Sequence, residues 1–213
     1  EQLLYGLLVT GANDAANVLA EYVGGSIENF SQMMNDKAAE IGAASTAYAN
    51  PTGIHADSMK TTARDTAIIA RYFYYIDPLY EMSCTTRYII PATPQTSRQR
   101  VLLNRNLLVS RVRSDKYYYS AAKGMSLGNT PEAGECIVTS AVDESGLTYI
   151  CVIMNAYADE ETNRACTDAA ALLSMCLNNF AYTTELSPKT LISELTGTAG
   201  IQGDYLEILL KVL

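Results

Sequence analysis

Two consecutive runs of aliphatic and β-branched residues, Glu135–Val142 and Leu147–Met154, are separated only by Asp143-Glu144-Ser145-Gly146, and no other feature constrains the fold as much. A short polar link ending in Gly suits a tight turn, because Gly takes the positive φ that closes such loops, so the runs predict paired antiparallel strands. Each run is apolar almost throughout, which makes both strands well-buried, central members of a sheet. The residues leading into them, Ser114 to Val142, read SDKYYYSAAKGMSLGNTPEAGECIVTSAV. This is a loop, a further strand, a Pro131-Glu132-Ala133-Gly134 turn and the returning strand. Downstream, Asp159 to Phe180 predicts a long helix whose Ala165, Ala169, Leu172, Leu173, Cys176 and Leu177 fall on one side, placed to pack back across the sheet.

The first part of the chain is helical by the same criteria. Residues 1–9 predict a short helix, Thr10-Gly11-Ala12-Asn13 breaks it, and Asp14 to Val23 resumes the pattern. After Gly24-Gly25, Ser26 is placed to cap a third helix with Ile27, Phe30, Met34, Ala38 and Ile41 on one face. Thr62-Ala63-Arg64-Asp65 resembles a capping box, where a hydroxyl and an acidic residue satisfy free amide donors, and Asp77-Pro78 is expected to close the helix that follows. Arg87 to Ile90 and Val101 to Asn104 read as short strands around a polar loop, and residues 182–213 as the start of a β-rich module.

Composition narrows the function classes. With 213 residues, 48% of them hydrophobic and 18% charged, the chain can bury one full core and part of a second. A net charge of -8 disfavours a phosphate-tracking surface, and the basic stretch from Arg98 to Arg113 also holds Leu102, Leu103, Leu107 and Leu108, so it reads as a structured segment with solvated charges. No run reaches the roughly 18 apolar residues of a membrane span. The sequence opens inside an amphipathic pattern, with no signal peptide at Glu1, and is expected to be N-terminally incomplete. Five cysteines without Cys-x-x-Cys spacing predict buried, inert thiols in place of a disulfide framework or zinc site, and His55, the sole histidine, lacks a partner for a triad.

The stretches LLYGLLVTGANDAANVLAEYVGGS, YANPTGI, TTARDTAIIARYF and AKGMSLGNTPEAGECIV resemble, in order and spacing, the serine-type D-alanyl-D-alanine carboxypeptidases, low-molecular-mass penicillin-binding proteins of peptidase family S11. The resemblance implies an α+β fold: the three-layer α/β/α serine β-lactamase/D,D-peptidase architecture with an antiparallel sheet, over residues 1–181 and lacking the nucleophile helix. It implies removal of the terminal D-Ala from peptidoglycan stem peptides through an acyl-enzyme. It further implies an extracytoplasmic location, no metal or organic cofactor, β-lactams as partners if the site is active, no nucleic acid, and membrane contact only through segments absent from this chain.

That family works with three motifs: Ser-x-x-Lys, Ser-x-Asn and Lys-Thr-Gly. The first supplies the nucleophile and its base, and here is expected upstream of Glu1. Ser120-Ala121-Ala122-Lys123 has the spacing but lies beside the hairpin, where a chance match is the simpler reading. The second aligns with Gly11-Ala12-Asn13. A proton-relay hydroxyl is lost at Gly11, while Asn13 either orients a substrate amide or caps the following helix. The third aligns with Ser126-Leu127-Gly128, which lacks the cation that holds a substrate carboxylate. Gly128 allows close approach, and the Asn129 amide is a candidate oxyanion donor. Lys123, at an odd offset, reaches Ser126's face only if a bulge, for which Gly124 is suited, intervenes. The alternative to a working peptidase is a non-catalytic peptidoglycan-binding or scaffold protein on the same fold.

Overall fold

In the computed structural model, which describes residues 1–157 and 162–180, the three predicted strands are present. β3 (Ala122–Thr130), β4 (Gly134–Val142) and β5 (Thr148–Ala156) form an antiparallel sheet in the order β3-β4-β5. A separate pair, β1 (Arg87–Ile90) with β2 (Arg100–Leu103), is also antiparallel. The predicted β-rich module over 182–213 lies outside the described residues.

Helices cover both faces of the three-stranded sheet. On one face, Ser140 shares a hydrogen bond of 3.0 Å with Tyr80 of α5 (Asp77–Cys84), and Thr148 shares one of 3.0 Å with Tyr74 of α4 (Ala63–Tyr74). Side chains alternate along a strand, so Tyr149 points the other way. Its hydroxyl donates to the Phe180 carbonyl at 3.2 Å, just past α6 (Arg164–Asn179). The fully buried Ile137, Thr139 and Ala141 line that second face. Two covered faces explain why β4 and β5 are apolar almost throughout, and they give the expected three layers.

Local chemistry sets the helix ends. α1 (Gln2–Thr10) ends at Gly11, which adopts the left-handed conformation (φ 63°) and donates its amide to the Leu7 carbonyl, a C-terminal cap that disfavours any other residue. α2 (Asn13–Gly24) follows at once. Ser26 caps α3 (Ile27–Glu40) by accepting from the Asn29 amide at 3.1 Å, as expected. Thr62 likewise caps α4 through the Asp65 amide, but Asp65 does not close a capping box. Its buried carboxylate instead accepts from the Ser45 amide at 2.6 Å and the Thr46 hydroxyl at 2.9 Å, stapling the segment after α3 to the start of α4.

Asp77-Pro78 opens a helix where a stop was expected. Pro78 sits in the first turn of α5, where its missing amide would have had no partner, so the residue that ends one helix also starts the next. α6 begins at Arg164, capped by Asn163, whose side chain accepts from the Cys166 amide at 2.9 Å.

Candidate active site

Two connections bring the second-motif and third-motif regions together. The segment after β2 folds into a tight turn held by asparagines. Asn104 donates to the carbonyls of Ser83 and Thr85 at 2.9 and 3.0 Å, and accepts from the Asn106 amide at 3.0 Å. Asn106 accepts from the Leu108 amide at 3.0 Å. Both asparagines are buried, so Arg105 between them is fixed at its base. Its amide donates to the Val9 carbonyl at 3.0 Å, which anchors Arg105 to the end of α1.

The consequence appears at Gly11. A Cβ placed there would lie 2.6 Å from Arg105 Nη1, closer than real side-chain carbons approach such an atom. The guanidinium therefore stands in the space that the side chain of the second motif's first residue would enter. Arg105 also lines a cavity of about 210 Å³ together with Leu127, Gly128 and Asn129 of β3. Arg105 thus brings a cation from a different segment to the cavity, while Ser126 stays outside it. Sequence reasoning placed Arg105 among solvated charges. The signal it passed over was an arginine flanked by two asparagines inside the apolar stretch Val101–Val109.

The other expected site residues divide. Leu127, Gly128 and Asn129 reach the cavity, and Gly11 touches its arginine. Ser126 and Lys123 are exposed, and neither lines the cavity. The bulge on which Lys123 depended is present: the β3–β4 register breaks between Lys123 and Met125, so Lys123 opposes Ser140 and Ser126 opposes Val138. Because Ser140 and Val138 lie two residues apart on β4, Lys123 and Ser126 share a face. Asn13 is exposed and does not cap α2; the cap position belongs to Ala12, which offers no side-chain acceptor. Ser120 precedes β3 and Lys123 lies within it, so the two are not one helical turn apart and do not form a nucleophile–base pair.

The cysteines whose titration is displaced are not candidate nucleophiles. Burial pushes the Cys166 thiol up to about 12, with Glu135 adding to the effect, and pushes Cys151 up to about 12 as well. Burial also raises Cys176. A thiol held neutral is a poor nucleophile. All five cysteines are free; these three are buried and Cys84 and Cys136 are half-buried, close to the expected inert set.

Among the described residues the strand carrying the third motif is at the sheet edge, since β3 pairs there only with β4. Its outer backbone groups can therefore pair with an extended peptide, and nothing lies within 4 Å of where a Cβ on Gly128 would stand. An edge strand, an open glycine and a cation lining the adjoining cavity suit a peptide that ends in a carboxylate.

Residues 1–158 match the peptidase S11 family, described as D-alanyl-D-alanine carboxypeptidase. The chain is 29% identical over 167 residues to D-alanyl-D-alanine carboxypeptidase DacF of Bacillus subtilis, covering 78% of this chain and 40% of that protein. To DacC of Escherichia coli it is 30% identical over 155 residues, 72% of this chain and 35% of the relative. Among solved structures, DacD from Francisella tularensis superposes with a TM-score of 0.71 at 25% identity, covering 83% of this chain and 51% of that one. A mutant of the Streptomyces K15 DD-transpeptidase gives 0.71 at 27% identity, covering 81% and 66%. The chain thus spans well under half the length of these two curated relatives.

Proposed function

This chain belongs to the D-alanyl-D-alanine carboxypeptidase family, and on that premise we propose that it engages D-Ala-terminated peptidoglycan stem peptides at the cell envelope, with Arg105 holding the terminal carboxylate. The observation that carries this reading is the guanidinium between Gly11 and the cavity-lining residues of β3. A carboxylate bound to a guanidinium forms charge-assisted hydrogen bonds of the kind that Ser126 has forfeited. The peptide backbone would pair along the free edge of β3, with Gly128 leaving room for it.

The chemistry expected of the family is acyl transfer to a serine, with loss of the terminal D-Ala. In this chain the second-motif hydroxyl is gone, and a positioned proton-transfer group contributes about 10²- to 10⁴-fold to rate. Turnover is therefore expected to be slow compared with a relative that keeps all three motifs. A second reading is binding without turnover, favoured by the same guanidinium, which fills the place where a relay hydroxyl would act.

Intact mass of the full-length protein after incubation with excess penicillin separates the two. An increment of one drug molecule supports slow acyl transfer, and the folded protein without an increment supports binding alone. Failure to bind a D-Ala-D-Ala peptide at all would overturn both readings.

A further inference from the structure

Two of the five thiols are brought face to face by the way α6 returns across the sheet. At the head of the helix, Asn163 donates to Glu135 at 3.0 Å, and Glu135 opposes Ala156 at the end of β5. At its tail, the Phe180 carbonyl accepts from Tyr149, near the start of β5. The helix therefore runs antiparallel to the strand, and the spans agree: Tyr149 to Ala156 covers about 23 Å of strand and Asn163 to Phe180 about 25 Å of helix. Cys151 lies two residues past Tyr149, on the same face and about 6.6 Å along the strand, while Cys176 lies four residues before Phe180, about 6 Å along the helix in the same direction. The two stand at one level. Both are turned into the layer between sheet and helix, with 5% and 4% of their surface exposed. Burial raises the Cys151 thiol, and Cys176 adds to the rise, as a sulfur close by would. No other cysteine shares that level: Cys166 is about 15 Å away along α6, Cys84 is on α5 across the sheet and Cys136 is at the far end of β4.

We propose that Cys151 and Cys176, free thiols in this structure, are a redox pair whose disulfide staples α6 to β5, made by thiol–disulfide exchange with an external donor disulfide. One thiolate attacks the donor and displaces half of it; the second attacks the resulting mixed disulfide and displaces the other half. One S–S bond forms in the protein and one breaks in the donor, which leaves as two thiols carrying the two protons. Thiolate is the attacking form, and burial suppresses it at both sulfurs, so the bridge closes before α6 docks on the sheet or when it lifts away. Once the helix is down, the same burial shields the bridge from reductants. Disulfides form and persist outside the cytoplasm. That setting follows from the cell-envelope location proposed above, whereas the pairing rests on the geometry of α6 and β5 alone.

The test is to refold the full-length protein from denaturant in a mixture of reduced and oxidised glutathione, with refolding under reductant alongside, then to alkylate the remaining thiols and map peptides without reduction. The expected product in glutathione leaves Cys84, Cys136 and Cys166 alkylated and yields a bridged peptide pair holding Cys151 and Cys176. Its melting temperature should exceed that of the reduced protein by about 5–10 °C, as for a loop of about 25 residues closed in a domain of this size. Cys176→Ser should lose both the bridged peptide and the increment. Should refolding fail, the protein exported to the periplasm of an expression host and purified without reductant gives the same readouts with no denaturation step. Full alkylation of Cys151 and Cys176 in folded protein from either route, or a bridge from one of them to a different cysteine, overturns the pairing. A bridge between Cys151 and Cys176 with no gain in melting temperature overturns the staple.

Discussion

Two glycines on β3, four residues apart, face opposite circumstances. At Gly124 an added Cβ would overlap the Ser83 carbonyl oxygen and lie 2.8 Å from the Cys84 amide nitrogen, because the end of α5 packs directly on the strand. At Gly128 there is nothing within 4 Å. The first glycine is explained by the protein's own packing. The second has open space beside it among the described residues, and it lines the same cavity as Arg105. One end of the strand is scaffold and the other is the proposed receptor, although both read as glycine in sequence.

The largest expected effect comes from trying to erase that difference. Gly124→Ala should destabilise the fold by about 3 kcal/mol or more, since the obstruction is backbone and cannot rotate away as a flexible side chain would. Urea denaturation measures it, and a loss below 1 kcal/mol would show that the bulge relaxes freely. Next comes Asp65→Ala, which removes a buried carboxylate accepting from Ser45 and Thr46. Hydrogen bonds to a charged group contribute about 1.5–3 kcal/mol, and a loss of that size with peptide binding intact would place this staple on the scaffold side. The smallest stability change belongs to Gly128→Ala, expected within about 0.5 kcal/mol as for an open surface site. Its effect should appear in affinity for a D-Ala-terminated peptide, and unchanged affinity would remove Gly128 from the receptor side.

Much of the scaffold was legible because its causes are local. The β4 and β5 runs, the Ser26 cap and the Thr62 cap each depend on residues within a few positions. Gly124 was recognised as a place for a bulge, though not as a contact with Ser83, because nothing in the sequence places α5 against β3. That helix was itself missed, since Pro78 signals both a stop and a start, and only the packed chain selects the second.

The site was less legible for a related reason. Motif alignment located Gly11, Ser126 and Leu127 as altered positions and read the hydroxyl and the cation as losses, while Gly128 was retained. The residue that occupies the space beside Gly11 comes from far along the chain, through the Arg105 amide bonded to Val9 and an asparagine-braced turn. Glu135 carried no sequence signal of its own, because a charged residue at the start of a strand ordinarily faces solvent. Its bond to Asn163, which fixes the head of α6 at that end of the sheet, exists only in the folded chain.

If Arg105 has taken over the holding of a substrate carboxylate, removing its guanidinium should remove that hold. The most direct test is the affinity of the full-length protein for an N-acetylated peptide ending in D-Ala-D-Ala, measured for the native protein and for Arg105→Ala. A tens-fold loss is expected, from about 1.5–3 kcal/mol of charge-assisted hydrogen bonding, with no comparable loss for the same peptide carrying a C-terminal amide. Equal affinity of the two proteins for the free-carboxylate peptide would contradict it.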